Sequence, residues 1–186
     1  MCIEFYSKPP EQEVLLRMSP RKAPDVNPVP KGGRGRKLEA LLIHTHQIYW
    51  DREHVIVEHN QLPGRWLGKG RFVPAPQSKS VDFHGVDRGR PLVFDAKECR
   101  KPRWRLDTRY AHQFDRLCRF ALARAIAWFA VEDVRHSILW LLRIWPQSEW
   151  PVIDFAEAPN ADMLKIARNE DGWYDWLPAV RSAWFV

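Results

Sequence analysis

Residues 80–98 read SVDFHGVDRGRPLVFDAKE. Ser80 to His84 and Leu92 to Lys97 are two short apolar-rich runs, and the polar turn Asp87, Arg88, Gly89, Arg90 between them predicts a β-hairpin. Side chains two apart on a strand share a face, so Asp95 and Lys97 point the same way, and an antiparallel partner brings Asp82 beside Asp95. Adjacent carboxylates repel unless a cation joins them, and carboxylate and carbonyl oxygens are what Mg2+ prefers. A hard metal held there lowers the pKa of bound water and steadies charge on a phosphate. Lys97 would orient or deprotonate that water, or neutralise charge at the scissile phosphate. The spacing by itself is weak: 23 acidic residues and 9 lysines in 186 positions give about one acid-x-Lys by chance, and one is found. Asp95 and Lys97 alone would suit an ordinary strand-edge ion pair, whereas Asp82 interrupts Val81 and Phe83 and resists that explanation.

Outward from the hairpin, apolar residues at three- and four-residue spacing from Leu38 to Tyr49 predict an amphipathic helix from Arg34 to about Asp51, with Glu39 in its first turns. His54 to His59 reads as a strand. A loop from Asn60 to about Gln77 follows, rich in Pro and Gly, carrying Arg65, Lys69 and Arg71 and no acid. These three strands are expected to share one sheet. Asp107 or Thr108 can cap a second helix with Phe114, Leu117, Cys118 and Ala121 on one side. Ala125 to Val131 and Ser137 to Ile144 read as buried strands, Val152 to Phe155 as a short apolar run, and Ala161 to Asn169 as a further helix. Six of the ten tryptophans lie beyond residue 139, and core filling accounts for them better than an interface does.

Charge narrows the function. Residues 100–124 hold eight basic residues against Asp107 and Asp115, an excess equal to the whole chain's net +6. Such a patch attracts a polyanion and gives salt-dependent binding, and arginine's forked donors match phosphate oxygens. The odd set Cys2, Cys99 and Cys118 suits neither a disulfide framework nor a thiolate zinc site. Gly32, Gly33 and Gly35 lack the Gly-Lys-Ser/Thr ending of a P-loop, so no nucleotide cofactor is expected. With no long apolar run and no signal-peptide core, the expected protein is soluble and cytoplasmic, with no membrane partner.

Gly35 to Glu39 in a first helix, Ser80-Val81-Asp82-Phe83, Phe94-Asp95-Ala96-Lys97-Glu98 and then His112-Gln113 opening a helix resemble, in joint order and spacing, the RecU-type Holliday junction resolvases. The archaeal Hjc-type resolvases, in the same restriction-endonuclease-like nuclease superfamily, share the helix, the strand aspartate and the acid-x-Lys strand. The resemblance spans roughly residues 34 to 145. It implies an α/β fold with a mixed central β-sheet flanked by helices, and a homodimeric, Mg2+-dependent endonuclease (Mn2+ as a substitute) that nicks a four-way DNA junction symmetrically. Carried over, Glu39, Asp82 and Asp95 are acidic metal-site residues, the Ala96 carbonyl a further ligand and Lys97 the catalytic lysine; Gln113 and Glu98 match recurrent positions, and Ser80 a strand hydroxyl. The family's stalk-like insertion is shortened here to Asn60 to Lys79. It keeps Arg65, Lys69, Arg71 and the aromatic Trp66 and Phe72, which can touch phosphates and stack on opened bases.

The expected organisation is an irregular Pro-rich basic arm over residues 1–33, a nuclease domain over 34–155, and a Trp-rich extension over 156–186. DNA contacts are expected from Arg34, Arg36, Arg65, Trp66, Lys69, Arg71, Ser80, Arg100, Lys101, Arg103 and Arg105. Two rivals stand beside the resolvase: a related nuclease for linear or mismatched duplex DNA, since a fold does not fix its substrate, and a non-catalytic recombination accessory protein whose acidic cluster is structural.

Overall fold

The computed structural model describes residues 36–53, 55–60, 64–66, 72–74 and 81–185. In chain order these form α1 (Arg36–Glu53), β1 (Ile56–His59), β2 (Gly64–Trp66), β3 (Phe72–Pro74), β4 (Phe83–Asp87), β5 (Arg90–Cys99) and β6 (Arg103–Arg105). A 3-10 turn (Thr108–Tyr110) leads into α2 (Ala111–Leu122), and β7 (Ile126–Asp133), β8 (Ile138–Ile144), β9 (Val152–Asp154), β10 (Met163–Ala167) and α3 (Leu177–Trp184) follow.

β5 and β7 carry the fold. They pair in parallel, joined by the α2 crossover, while every other neighbour in the six-stranded sheet β1-β4-β5-β7-β8-β10 is antiparallel. All eight residues of β7 are buried, its apolar run over 126–131 as a strand covered on both faces requires and its terminal Glu132 and Asp133 hydrogen-bonded to Arg168, Tyr174 and Arg135. On one face, Phe94, Ala96, Trp128 and Ala130 pack with Leu38 and Leu42 of α1 and with Leu177, Val180 and Trp184 of α3. On the other, Val93, Ala127, Phe129 and Val131 pack against Leu117 of α2. The mixed α/β sheet expected from the resemblance is what the chain forms.

The hairpin turns through Arg88 and Gly89, both at positive φ (49° and 77°), a two-residue turn whose twist suits antiparallel strands. The three expected strands do share a sheet, but the first hairpin strand runs Phe83–Asp87 rather than Ser80 to His84, so Asp82 lies just before the strand. Asn60 sets that boundary: its N–H donates to the Asp82 carbonyl at 2.8 Å and its side-chain amide to the Val81 carbonyl at 2.8 Å.

Other expectations need correction. The expected loop after Asn60 contains the β2–β3 hairpin, and Arg103–Arg105 forms a strand against β9 that the sequence reading passed over. Ala161 to Asn169 is not a helix but contains β10, which completes the sheet beside β8. Met163 and Ile166, three apart, mimic helical spacing; on the strand Met163 packs to one face while Leu164 and Ile166 pack to the other. The Trp-rich stretch beyond Ala156 thus supplies the sixth strand and α3, and Trp173, Trp176 and Trp184 fill the core. The N-terminal arm lies outside the described residues. No described helix is long and apolar enough to cross a membrane.

Candidate active site

The site lies where the β4–β5 hairpin opens. The Phe83↔Phe94 register, carried one step further, sets Asp82 against Asp95. The two aspartates interlock across the strands: Asp95 Oδ1 accepts the Asp82 N–H at 3.3 Å, and Asp82 Oδ2 accepts the Ala96 N–H at 2.9 Å. Lys97 Nζ stands 3.6 Å from Asp82 Oδ2 and 3.5 Å from Asp95 Oδ1, and donates to the Ala96 carbonyl at 3.1 Å. One ammonium is therefore met by the three oxygens that sequence and resemblance nominate as metal donors.

Asp95 is fully buried. Burial pushes its carboxyl well above the usual carboxylate range; Lys97 draws it back down and Asp82 raises it further. Its second oxygen, Oδ2, has no hydrogen-bond partner. A buried carboxylate oxygen facing no donor is satisfied by a cation, and two carboxylates with a backbone carbonyl make the all-oxygen donor set of Mg2+. The residues present fit such an ion.

Glu39 comes from a different element. It occupies the first turn of α1, with Oε2 3.6 Å from His59 Nε2. Among the described residues no three His, Cys, Asp or Glu side chains converge as a metal cluster. Glu98 links the two places: from the α1 face of β5 it accepts the Leu38 N–H at 3.1 Å, fastening the first turn of α1 to the strand that carries Asp95 and Lys97. A carboxylate is favoured there by the helix dipole.

Gln113 lies in the first turn of α2 with a buried, unpartnered Oε1. Tyr110, just before α2, has its ring 5.8 Å from Lys97 Nζ, within cation–π range. Arg100, Lys101, Arg103 and Arg105 are all exposed, the last two flanking buried Trp104 so that both project from one side of β6. Arg36 opens α1, and Arg65 and Trp66 belong to β2. Arg34, Lys69, Arg71 and Ser80 lie outside the described residues.

Sequence reasoning missed Asn60, His59 and Tyr110 as neighbours of the site. Asn60 left one signal, a turn-forming residue directly after a strand. His59 left none, because nothing local tells which partner a strand-end histidine meets across the sheet.

No curated protein sequence matches the chain. Among solved structures it is similar to Hjc, a Holliday junction resolvase of the archaeal hyperthermophile Archaeoglobus fulgidus, at 14% identity and a TM-score of 0.38, covering 82% of this chain and 98% of that one. The family model for RecU, described as Recombination protein U, matches residues 33–151. That span holds α1, the interlocked aspartates, Lys97 and α2, and amounts to well over half of the sequence. The chain belongs to the RecU family of Holliday junction resolvases.

Proposed function

We propose that this resolvase is a Mg2+-dependent endonuclease that cuts four-way DNA junctions by paired symmetric nicks, working as a homodimer. The observation that carries the reading is the convergence of Asp82, Asp95 and the Ala96 carbonyl on one cation, the Lys97 ammonium, beside a buried Asp95 oxygen that has no partner. Asp82, Asp95 and Ala96 would hold the metal, with Glu39 approaching from α1. When bound, the metal supplies an acidified water and charge neutralisation at the phosphate. The chain's own residues do the rest. The Asp95 carboxylate is fixed by the Asp82 backbone N–H and the Asp82 carboxylate by the Ala96 backbone N–H, so the site needs little reorganisation before reaction. Lys97, freed from the carboxylates, would orient the attacking water and neutralise the scissile phosphate. Gln113 would place its amide against the same phosphate, while Arg100, Lys101, Arg103 and Arg105 hold the flanking backbone. Arg34 and Arg36, which follow the arm, and Arg65, Trp66, Lys69, Arg71 and Ser80 would engage the junction itself.

The test is cleavage of an end-labelled synthetic four-way junction and a sequence-matched linear duplex, with Mg2+ or EDTA, by wild type and Asp95→Asn. The expected result is Mg2+-dependent paired nicks in the junction alone, reduced at least about 100-fold in the variant. Equal cutting of the duplex would favour a general nuclease. Tight binding with no cutting under any divalent metal would favour an accessory protein.

A further inference from the structure

The outer face of α2 is unused in the reading above. His112, Arg116 and Arg119 recur at i, i+4 and i+7, so they share one side of the helix, and all three are exposed. The opposite side, with Phe114, Leu117, Cys118 and Ala121, is turned into the core. With Asp115, Phe120 and Ala123, the basic side chains line a cleft along the helix. This face starts at the catalytic end of the molecule, because Tyr110 lies 5.8 Å from Lys97 Nζ and 5.1 Å from the Arg109 guanidinium. Arg109 and Arg119 pair at 3.0 Å with exposed Asp107 and Asp115. Exposed pairs of this kind are weak, and a phosphate can exchange into them.

A second observation comes from the end of the helix. The Ala125 N–H donates to the Phe120 carbonyl at 2.9 Å and the Arg124 N–H to the Ala121 carbonyl at 3.0 Å, the two bonds of a Schellman cap. That cap holds Arg124 in the left-handed region, at φ 67°. Glycine is the favoured residue there, yet the position carries an exposed arginine. An exposed charge held in a strained backbone position just past a basic helix points to a contact made by that charge.

We propose that the outer face of α2, with His112, Arg116 and Arg119 along it and Arg124 beyond its last turn, is a phosphate track for the duplex arm leading away from the cleavage site. The proposal rests on the DNA-cleaving reading above and adds to it where the arm lies. The 12 residues of α2 extend about 18 Å, which matches about five base pairs of duplex at about 3.4 Å each. The track therefore reads backbone rather than sequence, and it sets the direction in which an arm leaves the site.

The test places single neutral methylphosphonate linkages along one junction arm and measures affinity in EDTA, where cutting is off. Wild type should lose several-fold affinity at positions within about five nucleotides of the nick. The Arg116→Ala/Arg119→Ala double variant should bind more weakly, be indifferent to those linkages, and show a log K against log salt slope shallower by about 2. Arg124→Gly should raise Tm and weaken binding together. A double variant with the wild-type salt slope and linkage profile, or an Arg124→Gly protein that binds as tightly as wild type, would overturn the track. Wild type that neither binds nor cuts a junction would instead overturn the function reading on which the track rests.

Discussion

Burial of His46 among Phe83, Phe94 and Trp176, with edge-on ring contacts at 5.1 to 5.8 Å, leaves both its ring nitrogens without a hydrogen-bond partner. Desolvation, aided by nearby His59, depresses its pKa to about 3. The unfolded chain therefore takes up this proton more readily than the folded one, so the neutral ring's full contribution is present above about pH 6.5 and is lost as pH falls towards about 3. The slope in that window approaches about 1.4 kcal/mol per pH unit. Wild-type Tm should fall between pH 6 and 4 by more than that of His46→Leu; parallel acid profiles would remove this histidine as the cause. The apolar spacing from Leu38 to Tyr49 does not mark His46 as a core residue, because a polar side chain does not count towards an apolar face. Asp95 and Lys97 were legible for the opposite reason, since period-2 geometry alone fixes their shared face. The Asp95 burial that makes the pair chemically unusual depends on β7 and α2, which are distant in sequence.

At the scale of elements, the approach of β1 to β4 depends on Gly85. A Cβ built there would stand 2.1 Å from the Ile56 carbonyl oxygen and 2.8 Å from Val57 Cα, both backbone atoms that cannot yield. Gly85→Val should force β1 away and with it His59 and Asn60, which brace Glu39 and Asp82. Urea unfolding should show a loss of about 1–3 kcal/mol or more, and junction cleavage should fall further than stability does; an unchanged midpoint would contradict the close approach. The core strands β5, β7 and β8 were legible because long apolar runs announce them. β6 and β10 were not, since three- and five-residue strands carry too few residues to separate period 2 from period 3.6. Short strands are defined by their partners, β9 and β8, rather than by themselves.

For the whole molecule, charge and topology meet at one end of the sheet. The basic excess of residues 100–124, legible from counting alone, follows β5 directly, so the strand that carries Asp95 and Lys97 runs into Arg100 and Lys101 and then β6. On the proposed function, phosphate attraction would thus be built next to phosphate chemistry. Paired nicking requires two such ends facing two equivalent strands, which a two-fold dimer provides. Light scattering should give about twice the 22.0 kDa chain mass, and a species that stays monomeric on a junction would remove paired nicking from the reading. The exposed apolar side chains Trp50, Ile56 and Val86 were not legible as such in the sequence, because they look the same as core residues until a fold places them outside.

The closing of the core by α3 bears on synthesis. Tyr49 of α1 accepts the Leu177 N–H at 3.0 Å and donates to Asp175 at 2.9 Å, and Trp176 and Trp184 cover Trp128 at ring separations of 5.5 and 5.8 Å. A chain emerging from the ribosome without α3 would expose the Phe94 and Trp128 face of its sheet, an aggregation-prone intermediate. The segments bearing Asp82 and Asp95 are made early but gain their final packing only when α3 arrives. Nascent chains should therefore stay inert towards DNA until translation has passed Trp184.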